Sequence, residues 1–294
     1  MSAAVNRLIE RVLPPILTDA IRGWKRGRGR SSPADLPEWE VVPDSDEVWT
    51  ASEGWSHPSI ATEQRRKWPP MLAAMAAPHV LGRSHEADLS GPISVSEHNI
   101  IMTFGYVLGR ASGTRSSLRV LDWGGGIGHY HALARALRPD LALDYTVKDL
   151  PGLCALGSEL NPACRYVDAE AVALRGRYDL VFASSSIHYT RDVHGLLRQL
   201  SRAADQWLMI TRQPVVEKAD DFVVLQRAYA YGYQTEYPGW FLNRGRLLDT
   251  VRAEGFELER EFLIDHRPII RHAPEPCRFA GFLFRRLGAA AESA

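Results

Sequence analysis

The sequence predicts an α/β protein whose core is a doubly wound parallel sheet, preceded by an N-terminal helical extension. Three observations carry this expectation. From residue 118 onward, short apolar runs alternate with stretches of helical periodicity, as expected for strands joined by crossover helices. The first such junction, VLDWGGGIGHYHAL (residues 120 to 133), is rich in glycine. The next apolar run, LDYTVKD, ends in an acid, Asp149.

Composition fits a folded chain. The 294 residues are 45% apolar, enough to bury a large core. Thirty-five basic residues balance 35 acidic ones, so no global field favours nucleic acid as a partner. The three cysteines, Cys154, Cys164 and Cys277, form no CxxC pair, which argues against a disulfide framework or a structural zinc site and suits a reducing cytoplasm. No apolar run reaches the roughly 18 residues of a membrane span, and the N-terminus lacks the core of a signal peptide. A cytoplasmic location is expected, with an option of peripheral contact at the inner face of a membrane.

That option comes from residues 1 to 30. Leu8, Ile9, Val12, Leu13, Ile16, Leu17, Ile21 and Trp24 recur at helical spacing, broken at Pro14 and Pro15, and run into a cluster of Arg and Lys between positions 22 and 30. Such a segment suits an anionic membrane surface or the flank of its own domain equally well. Residues 31 to 60 are rich in Pro, Ser and acids and read as an extended connector with turns, pinned by Trp39, Trp49 and Trp55. Helices are expected over residues 63 to 77 and 96 to 110, the second capped by Ser94 or Ser96. Residues 31 to 115 thus form a linker and helical region on the substrate side.

The sheet domain is expected over residues 116 to 288, with 289 to 294 as a tail. Its strands are read at 118–121, 143–147, 165–167, 178–183, 207–210, 256–264 and 278–284, and its helices at 129–137, 152–160, 192–203 and 243–254. Asn243 caps the last helix and Gly255 follows its end.

In an open parallel sheet the ligand binds beyond the carboxyl ends of the strands. Gly124, Gly125, Gly126 and Gly128 occupy such a place and let the backbone approach a ligand closely. A dinucleotide fingerprint, G-x-G-x-x-G, fails, because the sixth position from Gly124 is His129. Asp122 would sit beside a pyrophosphate and repel it, so a cationic ligand suits the loop better. Asp149 lies about 20 residues past the glycines, where a ribose presents its hydroxyls; a helix cap is its alternative role.

The pattern D-x-G-x-G-x-G resembles motif I of the class I S-adenosylmethionine methyltransferases, a Rossmann-like fold. That resemblance implies S-adenosyl-L-methionine as cofactor and S-adenosyl-L-homocysteine as product. It places Asp122 near the amino-acid end of the cofactor, Asp149 at the ribose, Asp168 at the adenine amino group, and Leu150, Ala169 and Ser184 among the cofactor-binding residues. With KDLP (148 to 151) and SSSIHYTRD (184 to 192), the chain is similar to small-molecule O-methyltransferases of the plant phenolic and hydroxyindole type. By position in that family, His188 is the general base. Tyr189 departs from the pattern, since an acid usually follows the histidine. Over a longer span the chain resembles a bacterial methyltransferase group associated with surface-polysaccharide genes, through residues 8 to 30, 49 to 55, 124 to 128, 184 to 189 and 237 to 241 (YPGWF).

The function expected is O-methylation of a hydroxyl on a sugar, glycan or small metabolite. An unperturbed histidine pKa of about 6.5 suits His188 as base, with hydrogen bonding in the pocket wall as its alternative role. Tyr189, Tyr237 and Trp240 are the candidate substrate contacts, or simple packing residues. His98, His129 and His131 are further histidines for the pocket, but residues two apart on a helix point away from each other, so no metal is expected. Competing readings are a catalytically silent scaffold at a membrane-associated assembly, an N-methyltransferase, and a nicotinamide-dependent oxidoreductase.

Overall fold

The computed structural model describes residues 36–77 and 93–288. The amphipathic basic segment over residues 1 to 30, and with it the membrane expectation, lies outside the described residues, as does the tail from 289. Among the described residues no helix is long and apolar enough to cross a membrane.

In chain order the elements are β1 (Trp39–Val42), α1 (Asp46–Trp49), α2 (Pro58–Ala76), α3 (Val95–Ser112), β2 (Ser117–Trp123), α4 (His129–Leu137), β3 (Ala142–Lys148), α5 (Pro151–Leu160), β4 (Arg165–Val167) and α6 (Glu170–Ala173). They continue with β5 (Tyr178–Ser184), α7 (Val193–Ala203), β6 (Ala204–Val216), β7 (Phe222–Arg227), β8 (Glu236–Asn243), α8 (Arg244–Arg252), β9 (Phe256–Leu263), β10 (Ile270–Arg271) and β11 (Arg278–Arg286).

Strands β4, β3, β2, β5 and β6 lie side by side and parallel; β11 adds antiparallel to β6, and β9 completes the row antiparallel to β11. This order, with its reversal point between β2 and β5, is that of a doubly wound, Rossmann-like sheet. The apolar runs that announced it are buried because helices cover both faces. On one face α3 and α4 pack Phe104, Val107, Leu108, Leu133 and Ala134 onto the sheet residues Val120 and Phe182. On the other, α7 presents Val193, Leu196, Leu197 and Leu200, the i, i+3, i+4, i+7 spacing of one helical stripe. Its start is fixed by Asp192, which accepts a hydrogen bond from the Gly195 amide at 2.9 Å. Ser94 caps α3 in the same way through the Glu97 amide.

The connector expected before α2 holds more structure than an extended chain. Trp39 opens β1, which pairs antiparallel with β7; β7 in turn forms an antiparallel hairpin with β8, and β10 adds to β1. This second sheet is attached where β6 outruns β5. Strand β5 ends opposite Thr211, and β6 continues to Val215 and Val216, which pair with Leu242 and Asn243 of β8. The second sheet therefore stands over the carboxyl edge of the first, the edge on which ligands bind.

Candidate active site

The first glycine turn follows β2 directly. Gly124 has φ +71°, and a Cβ there would lie 2.3 Å from the Cβ of Ser186, so only glycine lets the turn pass beneath the end of β5. Gly128 has φ +83° and begins α4 without a side-chain cap. Asn161 and Tyr166 brace that end by donating to the carbonyls of Gly128 (3.1 Å) and Ile127 (2.8 Å).

Asp149 sits across from this turn at the end of β3. Its Oδ2 accepts from the Gly126 amide and its Oδ1 from the Leu150 amide, both at 2.7 Å. The carboxylate thus ties the glycine turn to the start of α5, whose N-cap residue is Leu150. Each oxygen keeps a second lone pair for another donor. Burial raises the Asp149 pKa, against the two amides that lower it.

Between these elements and the second sheet lies a cleft of about 350 Å³, inside the ~300–1,000 Å³ range of small-ligand sites. Gly124, Gly125, Gly126, Asp149, Leu150 and Ser184 line it on the side of the first sheet. Ser184 is held by Tyr130, hydroxyl to hydroxyl at 2.8 Å. The opposite wall is aromatic. Trp55, from the connector, stacks on Tyr237 of β8 (centroids 4.8 Å apart, planes at 20°), and Tyr189 meets both edge-on.

Other expected site residues take different places. Asp122 is 1% exposed and does not line the cleft. It lies beneath the turn, where a Cβ on Gly125 would come within 2.5 Å of its Cγ. Tyr145 donates to its Oδ2 at 2.9 Å, and burial, with the nearby Asp149 charge, pushes its pKa up to about 7. His188 is fully buried and also absent from the cleft wall. It lies behind Tyr189, rings 3.9 Å apart, and against the backbone at Gly239. Asp168 and Ala169 are exposed just past the three-residue strand β4 and stay outside the cleft; Glu170 lines it instead. Trp240 points away from Tyr237, since residues three apart on a strand face opposite sides; it packs on Trp49 and donates to the Arg191 carbonyl at 3.1 Å. His129 and His131 are core residues, edge-on to Trp68 and Tyr145.

Several lining residues had not been singled out. Gln64 on α2 is 5% exposed, lines the floor beside Gly126, and its Oε1 has no hydrogen-bond partner. The signal for it was present: with Ile60, Lys67, Trp68 and Met71 it falls on the buried stripe of the helix, where a polar residue calls for a reason. Lys148 also lines the cleft, with its ammonium 3.2 Å from Glu170 and 4.7 Å from the Trp123 ring centre.

No family model matches the chain, and no curated protein matches it. Solved structures resemble it at low identity. One is magnesium protoporphyrin IX methyltransferase from Synechocystis PCC 6803 with bound SAH, 14% identical, TM-score 0.45, covering 79% of this chain and 96% of that one. Another is the [4+2]-cyclase SpnF, 15% identical, TM-score 0.47, covering 84% and 98%. A third is an S-adenosylmethionine-dependent methyltransferase from Mesorhizobium loti, 17% identical, TM-score 0.44, covering 66% and 99%.

Proposed function

We propose that the chain is an S-adenosylmethionine-dependent methyltransferase acting on a small-molecule acceptor. The observation that carries this reading is Asp149, fixed by two backbone amides on the floor of the cleft and facing the glycine turn across the carboxyl edge of the sheet. A carboxylate so placed can accept both hydroxyls of a ribose, and it would repel a phosphate. The amide oxygen of Gln64, buried beside Gly126, suits the ammonium of the cofactor's amino-acid end. When bound, the cofactor supplies an electrophilic methyl group on a sulfonium.

The chain's own part is to hold the acceptor in line, from which most of the acceleration of a displacement comes. Trp55, Tyr189 and Tyr237 offer a wall on which a flat acceptor can lie. Among the described residues no histidine lines the cleft. His188 would act through Tyr189, as a positioning residue. This favours an acceptor whose nucleophile needs little help in losing its proton, such as a phenol, with a pKa near 10, or an amine, over a sugar hydroxyl.

Calorimetric titration of the chain with S-adenosylmethionine, S-adenosylhomocysteine and, as control, NAD tests the cofactor. Micromolar binding of the sulfonium compound and its product is expected, with a loss of about 100-fold or more in Asp149→Ala as two hydrogen bonds to a charged group disappear. Binding of NAD alone would overturn the reading.

A further inference from the structure

The charges that line the cleft are mostly of one sign. Glu53, Asp149 and Glu170 bring three carboxylates; Lys148 is the single cation among the described lining residues, and its ammonium lies 3.2 Å from Glu170. Lys148 is thus already answered by an acid. Asp149 is tied to two backbone amides and, on the reading above, to a ribose. Glu53 stands apart: it is exposed on the connector and makes no ion pair among the described residues.

The rings of the wall share this preference. Trp55 stacks on Tyr237 and meets Tyr189 edge-on, and the Tyr189 ring is fixed by its hydroxyl, which donates to Gln226 Oε1 at 2.8 Å. The face of an aromatic ring is negative, and tryptophan attracts a cation most strongly. The cleft lining already contains one such contact, Lys148 over Trp123 at 4.7 Å. Gln64 adds a buried amide oxygen without a hydrogen-bond partner, an acceptor that calls for a donor. Carboxylates, ring faces and an unmet acceptor all favour positive charge.

We infer that the acceptor is an amine carried on a flat ring, and that Trp55 and Glu53 recognise the ammonium it becomes; the inference rests on the function proposed above and narrows its substrate class. The electrostatics of the step separate an amine from a phenol. An amine attacks through its neutral lone pair: the N–C bond forms, the C–S bond breaks with its electron pair left on sulfur, and the positive charge passes to nitrogen. A proton on that nitrogen then goes to water. A phenol must shed its proton before or during attack, so negative charge develops on oxygen among three carboxylates, beside a lysine already held by Glu170. A cleft so lined favours the reaction that keeps a positive charge over the one that needs a negative one.

The experiment titrates benzylamine, benzyl alcohol and benzoate calorimetrically into the full chain, both alone and saturated with S-adenosylhomocysteine, which brings the cleft to its product form. Benzylamine, an ammonium at neutral pH, is expected to bind about tenfold more tightly than benzyl alcohol, with benzoate weakest. That preference should fall about twofold to fivefold in Glu53→Gln, a change at an exposed position, and further in Trp55→Leu, where a cooperative melting transition reports that each variant is folded. No binding of benzylamine, equal binding of benzylamine and benzyl alcohol, tighter binding of benzoate, or a preference unchanged in Glu53→Gln would overturn the inference. Failure of S-adenosylhomocysteine to bind while the benzylamine preference stands would sink the cofactor reading and leave the cation site intact.

Discussion

At the scale of single residues, the acids of the site divide by where their side chains point. Asp122 and Asp149 both stand at the carboxyl ends of parallel strands, yet only Asp149 opens on the cleft. Asp122 is enclosed, and its pKa of about 7 follows mainly from burial, increased by the neighbouring Asp149 charge and opposed by the Tyr145 hydroxyl. A carboxyl that holds its proton more tightly in the folded than in the unfolded chain adds stability that is fully present below the unfolded value near 4. That stability is lost as pH rises through the folded value near 7. Three units correspond to roughly 4 kcal/mol. Asp122→Asn keeps the shape and removes the titration, so its melting temperature relative to the unsubstituted chain should rise between pH 4 and 7, and a difference that stays flat with pH would contradict this. The sequence made the positions of these residues legible, because strand ends follow from the apolar pattern. Orientation was not legible. Asp122 turns under the glycine loop, His188 turns behind Tyr189, and Trp240 differs in strand parity from Tyr237; each depends on neighbours brought in by other elements.

At the scale of elements, the parallel strands and their helices were readable because each is a local pattern with its own punctuation. Helix α4 was expected over residues 129 to 137 and is found there, set off by the glycines before it. Helix α8 begins after Asn243, whose side chain accepts from the Arg246 amide. The second sheet was not readable. Strand β8 contains a proline and a glycine, which demote it on local criteria, and β1 is four residues long inside a connector rich in turn formers. Both exist because partners distant in sequence pair with them: Trp39 with Gln226, and Val223 with Trp240. The turn into α4 is the element whose backbone is most narrowly specified. A Cβ on Gly128 would lie 2.6 Å from the amide nitrogen of Asn161 and 2.9 Å from the Tyr166 hydroxyl, at φ +83°. Gly128→Ala is therefore expected to cost about 2–4 kcal/mol in chemical denaturation, strain and overpacking together. A cost below about 0.5 kcal/mol, the level of an indifferent surface change, would show that the turn relaxes freely.

At the scale of the whole molecule, the question is whether the two sheets unfold together. A chain of this length can melt in parts, and the second sheet, built around a hairpin, is a natural unit to melt alone. The packing argues otherwise. Strand β6 runs for 13 residues and hydrogen-bonds to β5, β11 and β8, so it belongs to both sheets. One hydrophobic cluster contains Trp39, Val224 and Phe241 from the second sheet together with Val120, Phe182 and Leu283 from the first. Trp39 meets Phe241 and Phe279 edge-on at 5.8 and 6.1 Å, bridging the two. Removing the second sheet would expose that shared core, so its loss costs the first sheet its own burial. Scanning calorimetry should accordingly give one transition for the described body. S-adenosylhomocysteine at a hundred times its dissociation constant should add about 2.7 kcal/mol to the folded state and move the whole transition upward by roughly 5–10 °C. Two transitions, of which the ligand moves only one, would mean that the cleft is assembled from separately folding parts and that the aromatic wall can open without unfolding its floor.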